Sequence, residues 1–160
     1  MIAWKFLRNG GVAPFTGFTW VPGAWVSGRP AHGAGVHACR LPHLPYWVDD
    51  ELWRIELGEP VVEHPTQVEG ARGRLMQRVT AWDPAAFAQA CAGRARAFAL
   101  EAPSPELWDY ARLAERAPAG SAAYIAAVAA VAARGEERAF AEERAWQARW
   151  LQEELALRDG

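Results

Sequence analysis

The spacing of apolar residues changes at Trp82 and divides the chain into two halves. Up to Trp82 the apolar positions come in short runs or alternate with polar ones, which is the pattern of β-strands. The segment 2–7 is almost wholly apolar, as in a strand buried on both faces or nearly so. In the segment 52–57 the side chains of Trp53, Ile55 and Leu57 point one way, while those of Arg54 and Glu56 point the other. This strand is predicted to end at 58–60, before further strands at 61–62, 67–69 and 74–79.

After Trp82 the apolar residues recur every three or four positions, which predicts helices. Helix starts are predicted at Asp83, Ser104 and Ser121, and proline follows the first two of these capping residues. Gly135 is predicted to end the third helix, and a fourth helix is predicted over 136–158.

The two patterns together predict an α+β protein. A small, mostly antiparallel sheet is expected in residues 1–82, which also hold all four histidines and six of the nine tryptophans. A short helical turn is predicted between Arg40 and Glu51, where prolines exclude a strand interior. Residues 83–160 are expected to form a helical bundle packed on the sheet, so that the chain is one compact unit.

The charge gives no reason to expect a nucleic-acid or membrane partner. The net charge is −2, divided as +1 over residues 1–82 and −3 over residues 83–160. No run reaches the roughly 18 apolar residues of a membrane span, and no signal peptide is visible, so we expect a cytoplasmic protein. Two cysteines are too few for a disulfide scaffold, and both are expected to be buried as small apolar residues.

His37 is the leading candidate for chemistry. It follows a Gly-Ala-Gly turn, which lets the backbone approach a ligand, and an imidazole with a pKa of about 6.5 can donate or accept a proton at neutral pH. Cys39 lies on the same strand face, but about 6.5–7 Å along the strand, too far for a direct hydrogen bond. The alternative is a strand histidine that only bonds a backbone carbonyl.

An aromatic pocket for a small organic or nucleotide-type ligand is predicted around His37. Trp20 and Trp25 flank a turn, where burying a large ring is difficult. The residues predicted to bind the ligand are Phe15, Trp20, Trp25, Arg40, Tyr46 and Trp47, with Lys5, Arg8 and Glu56 as secondary polar groups. No metal or cofactor is predicted, because the histidines lack the spacing of metal ligands.

The run Gly35-Val36-His37-Ala38-Cys39, with Lys5-Phe6 before it and Tyr46-Trp47 and WRIELGEPV after it, resembles a small domain family of bacteria and phages. The resemblance covers roughly residues 1–80 and implies a small α+β domain without a settled activity. One cysteine of that pattern is replaced here, near His32 and Gly33, which argues against a paired-thiol or metal role.

The order of a Gly-x-His strand, a short helix with aromatics and a strand with a glutamate is also similar to the centre of ADP-ribosyltransferase domains. That likeness implies an NAD-binding pocket lined by His37, with Tyr46 or Trp47 behind it, although the catalytic glutamate is not recognisable. A third alternative is a non-catalytic interaction module, in which helices carrying Trp146 and Trp150 form a homodimer or bind a partner. Whether the chain is an enzyme is left open between these.

Overall fold

The computed structural model describes residues 1–28 and 35–158, and it confirms the α+β fold. The chain divides into two compact units. The β-rich unit contains Met1–Trp82 together with the C-terminal residues from Leu155 onward, and the helical unit contains Asp83–Glu154.

The β-rich unit is an antiparallel sheet, five-stranded in the part of the chain that the structure describes. Its strands are β1 (Ile2–Leu7), β2 (Trp25–Ser27), β3 (Val36–Ala38), β4 (Glu51–Glu63) and β5 (Val68–Arg78). The hairpin of β4 and β5 is central: β1 pairs with β4, while β2 and β3 pair with successive stretches of β5. Trp4 and Cys39 exchange two backbone hydrogen bonds, of 2.9 and 2.7 Å, so the sheet curls until the end of β3 meets β1.

β4 is longer than the hydrophobic pattern predicts. Its pairing with β5 shifts register between Gly58 and Val61, so Glu59 and Pro60 are left out of the ladder. A bulge accommodates a proline, which has no N–H to donate, and the ladder resumes where Val61 pairs with Gly70. The prediction that the strand ends at 58–60 is therefore wrong. The separate strands predicted at 67–69 and 74–79 are likewise one strand, β5.

Gly73 lets β3 pack into the core. A Cβ atom at this position would lie 2.5 Å from Cγ1 of Val36, closer than carbon atoms approach, and in a tight contact of 3.1 Å with Cδ1 of Ile55. The missing side chain makes room for Val36, which is buried with Ala38 on either side of His37. Side chains alternate along a strand, so Val36 and Ala38 fix the core-facing side of β3 and turn His37 to the opposite side. A 3₁₀ helix, Leu41–Tyr46, follows β3 and confirms the predicted helical turn.

The helical unit contains α1 (Pro84–Glu101), α2 (Pro105–Ala114), α3 (Ala119–Arg134) and α4 (Arg138–Glu154). Two predicted caps are confirmed: the Asp83 carboxylate accepts from the N–H groups of Ala85 and Ala86, and Ser104 Oγ accepts from Leu107. The left-handed backbone of Gly135, with φ of 69°, ends α3 as predicted.

The predicted cap at Ser121 is wrong. α3 begins at Ala119, directly after Pro118, whose extended backbone (ψ of 160°) holds the N-cap position without a side-chain hydrogen bond. α4 also begins and ends inside the predicted range of 136–158. None of the helices in residues 1–28 and 35–158 is long and apolar enough to cross a bilayer.

A polar network lies inside the helical unit. Glu143 is only 2% exposed and accepts three hydrogen bonds of 2.7–3.3 Å from the guanidinium of Arg94. One turn further along α4, Gln147 accepts from Arg144 and donates to the carbonyl of Ala123 on α3. The buried alanines of α3 let the neighbouring helices approach closely, and this network ties α4 to α1 and α3.

Candidate functional site

His37 is half-buried on β3, and its two ring nitrogens lie in different surroundings. Nδ1 is shielded from solvent and has no hydrogen-bond partner in the described part of the chain. Nε2 is not shielded in this way and reaches the surface. The alternative predicted from the sequence is an imidazole that bonds a backbone carbonyl. Nδ1 makes no such bond within the described residues.

Glu69 lies directly opposite His37 in the β3–β5 register. Its Oε1 accepts a hydrogen bond of 2.7 Å from the backbone N–H of Gly35, and its Oε2 lies 3.2 Å from Nε2 of His64. An added Cβ atom at position 35 would lie 2.4 Å from Oε1 of Glu69, so a side chain there would displace the carboxylate from this position. The Gly35 N–H and, to a smaller extent, His64 hold the pKa of Glu69 below its usual value, against the opposing effect of burial. Glu69 is therefore a fixed carboxylate beside the imidazole.

The pKa of His37 is lowered from its ordinary value, chiefly because burial disfavours the charged ring. The Glu69 carboxylate opposes this shift, while Lys5 and His64 add to it. A neutral imidazole carries one proton, and a proton on Nδ1 would have no acceptor. The surroundings therefore favour a neutral ring with its N–H at Nε2, on the solvent side.

Lys5 approaches the same strand from β1. Its Nζ donates a hydrogen bond of 2.6 Å to the backbone carbonyl of His37 and lies 5.3 Å from the centroid of the Trp20 ring. Burial lowers the pKa of this ammonium to about 8, although the Cys39 thiolate, if formed, would raise it. Cys39 is buried, as predicted, and burial raises the pKa of its thiol to about 12, which makes it a poor nucleophile at neutral pH.

The two tryptophans that flank the 21–24 turn have different environments. Trp20 is 6% exposed and belongs to the core, so the expectation that this ring stays accessible is wrong. The chain folds back after Gly11, whose carbonyl accepts from the Trp20 N–H, and this pairing places the ring inward. Its indole Nε1 is buried without a partner in the described residues. Trp25 is 38% exposed and stacks against the guanidinium groups of Arg72 and Arg74.

The remaining predicted binding residues fall into separate contacts. Phe15 is highly exposed and meets Trp47 edge to face at 6.4 Å, and Trp47 donates from Nε1 to the carbonyl of Thr66. Arg40 forms an exposed ion pair with Glu63. Tyr46 packs against His43 on the 3₁₀ helix. These contacts thus join Lys5, Trp20 and the strand of His37, but do not gather all the predicted rings around the imidazole.

Sequence reasoning did not single out Glu69 or His64 as neighbours of His37, and it placed Lys5 among the secondary polar groups. Glu69 and His37 are 32 positions apart, and only the register of β3 against β5 makes them neighbours. Among residues 1–28 and 35–158, no three His, Cys, Asp or Glu side chains are grouped as a metal site requires. His32 and Gly33, which the sequence placed near this strand, lie outside the described residues.

The comparisons with known proteins add no constraint. Protein-family models, curated proteins and solved structures give no match to this chain. The resemblances to a bacterial and phage domain family and to ADP-ribosyltransferases therefore stay predictions from the sequence.

Proposed function

We propose that the β-rich unit binds a small polar organic molecule on the face of β3 and β5, with His37 orienting it. The observation that supports this is the environment of the imidazole: Nδ1 is shielded and unpartnered, while Nε2 stands at the surface beside Glu69. A neutral ring with its N–H at Nε2 offers one donor. The spare lone pairs of the fixed Glu69 carboxylate offer acceptors beside it. A ligand with a carbonyl or hydroxyl oxygen next to a donor group matches this pair.

Orientation fits this imidazole better than proton transfer does. If Nε2 accepted a proton from a substrate, Nδ1 would also have to carry one in a shielded position that has no acceptor. The same cost accounts for the lowered pKa. We therefore assign His37 a hydrogen-bonding role in binding, in an enzyme or in a non-catalytic receptor.

This role predicts the state of the ring in solution. In protein labelled with ¹⁵N at histidine, we expect the His37 resonances of an Nε2–H tautomer and a titration midpoint below the ordinary 6.5. Replacing Glu69 with Gln is expected to move the midpoint lower still, because the carboxylate is the group that favours the imidazolium. A library of small hydroxyl and carbonyl compounds, with NAD as a separate arm, is then screened for shifts of the Nε2 resonance.

The linked effect on stability has a definite sign. Because the folded-state pKa of His37 is depressed, the unfolded chain binds the proton more readily, and the folded state loses stability as the pH falls through 6.5 toward the folded value. His37→Gln removes this dependence, so the pH profile of its stability is compared with that of the wild-type chain. A midpoint at or above 6.5, or ligand affinity that is unchanged in His37→Gln, would contradict the proposed role.

The helical unit supports a second candidate function, self-association. A groove of about 410 Å³ is lined by aromatic and branched side chains from α2, α3 and α4, among them Tyr110, Tyr124, Val128 and Phe140. Tyr124 is 55% exposed there and meets Phe140 edge to face at 5.9 Å. The two rings first expected at such an interface are partly buried, Trp146 against Arg94 and Trp150 against Phe87.

Light scattering coupled to size exclusion tests this candidate. A chain that associates through the groove is expected to be dimeric, and Tyr124→Arg to be monomeric, because a charge cannot be buried unpaired in an apolar contact. Leu100→Arg is the matched control, since Leu100 is an equally exposed apolar residue outside the groove lining. A monomeric wild-type chain, or equal loss in both variants, would rule out the groove.

A further inference from the structure

We propose that Lys5 is a carbonyl-reactive amine, which captures small aldehydes or ketones reversibly as an imine. The inference concerns covalent chemistry at β1, and it does not require the ligand proposed for His37.

Lys5 occupies the place where two strands separate. β1 and β3 are joined at Trp4 and Cys39, and beyond that pair the Lys5 ammonium, rather than a backbone N–H, bonds the His37 carbonyl. Ala3, Lys5 and Leu7 are two positions apart, so their side chains lie on the same face of β1. Ala3 and Leu7 belong to the core, so this is the core-facing side of the strand. There Lys5 meets the face of Trp20 at 5.3 Å and is half-buried rather than enclosed. The amine thus has an aromatic wall and one fixed hydrogen-bond acceptor.

Lys5 lacks the usual partner of a half-buried ammonium. Within the described residues no carboxylate forms an ion pair with it, and the titratable groups that interact with it are the Cys39 thiol and the His37 ring. With a pKa of about 8, about 9% of the amine is neutral at pH 7, against about 0.03% for an ordinary lysine. The neutral amine is the form that attacks a carbonyl carbon.

The reaction uses the contacts that the structure shows. The amine lone pair forms a bond to the carbonyl carbon, and a proton moves from nitrogen to oxygen to give a carbinolamine. Protonation of that hydroxyl by solvent lets it leave as water, and the nitrogen becomes an iminium with a single N–H. The His37 carbonyl oxygen, 2.6 Å from Nζ before the reaction, is placed to accept a hydrogen bond from that N–H. Water reverses the steps, so neither an oxidant nor a reductant is consumed.

The chain is well suited to the test because Lys5 is its only lysine. The one other primary amine of the sequence is the α-amino group of Met1, which donates to the carbonyl of Leu57. Folded full-length protein is incubated at pH 7 with propanal or glyoxylate and sodium cyanoborohydride, which fixes the imine as a secondary amine. Peptide mapping by mass spectrometry then assigns the adduct to Lys5 or Met1. We expect Lys5 to react about a hundredfold faster than N-acetyl-lysine amide.

Two controls decide the interpretation. Lys5→Arg keeps a cation at the strand junction but cannot form an imine, so its adducts are expected at Met1 alone. Wild-type protein unfolded in urea is expected to lose the rate advantage, because the amine regains an ordinary pKa. If folded Lys5 reacts no faster than the reference amide, or reacts only after unfolding, Lys5 is a structural residue and the proposal is wrong. Ligand binding at His37 is measured separately, so failure of either proposal is distinguishable from failure of the other.

Discussion

Replacing Arg94 with methionine is expected to destabilise the helical unit by about 3–5 kcal/mol, the usual cost of leaving one member of a buried ion pair alone. The side chain of Glu143 is 1% exposed and that of Arg94 is 30% exposed. The variant therefore leaves a buried carboxylate without its paired cation, after the loss of three hydrogen bonds. The loss also removes the stacking of the guanidinium on Phe98 and Trp146. Urea unfolding followed by the helical circular-dichroism signal measures the change.

The double variant Arg94→Met with Glu143→Met distinguishes a buried charge from lost packing. It removes both charges and keeps similar volume, so we expect it to recover more than half of the stability lost in Arg94→Met. Arg112→Met is the surface control: Arg112 pairs with Asp109 on the exposed side of α2, and the change is expected to cost less than about 1 kcal/mol. If Arg94→Met were as stable as Arg112→Met, Glu143 would have to be hydrated in solution.

Ile55→Ala is the second large effect, expected to cost the β-rich unit about 2–5 kcal/mol. Ile55 is fully buried at the centre of β4, and its Cδ1 lies against the space that Gly73 leaves open for Val36. Truncation would therefore leave a cavity directly beneath β3. We expect the folded-state resonances of His37 to disappear at lower urea concentration, and to broaden before unfolding as β3 loses its support.

Val62→Ala is the matched control for Ile55→Ala. Val62 is a branched residue on the same strand but is 53% exposed, so its truncation is expected to change stability by no more than about 0.5 kcal/mol. Equal losses in the two variants would show that strand propensity, rather than the cavity beneath β3, sets the cost.

The sequence was sufficient where the deciding interaction is local. The caps at Asp83 and Ser104 and the end of α3 at Gly135 depend on residues within one turn, and all three were predictable. The strand lengths were not, because β4 and β5 are held together across Glu59 and Pro60 by pairing, which outweighs the local preference of proline to end a strand. A prediction made only from local turn-forming residues therefore divided β4 and β5 into separate shorter strands.

The candidate site shows the same limit more strongly. His37 was recognisable from its residue type and the glycines before it, but its surroundings come from β1 and β5. Lys5 reaches His37 across 32 positions of sequence, and Glu69 reaches Gly35 across 34. Trp20 was expected to be accessible because a turn follows it, yet the backbone pairing with Gly11 directs the ring into the core. Residue type alone indicated that His37 could bind a ligand. The register of the strands determines which side chains lie beside it.

The two free thiols have a practical consequence. Cys39 is buried in the β-rich unit and Cys91 in the helical unit, so each unit contains one shielded sulfur. A thiol-specific reagent can modify either one only when its own unit opens. Each labelling rate therefore reports the opening of the unit that contains that cysteine, with the natural sequence and without an added probe.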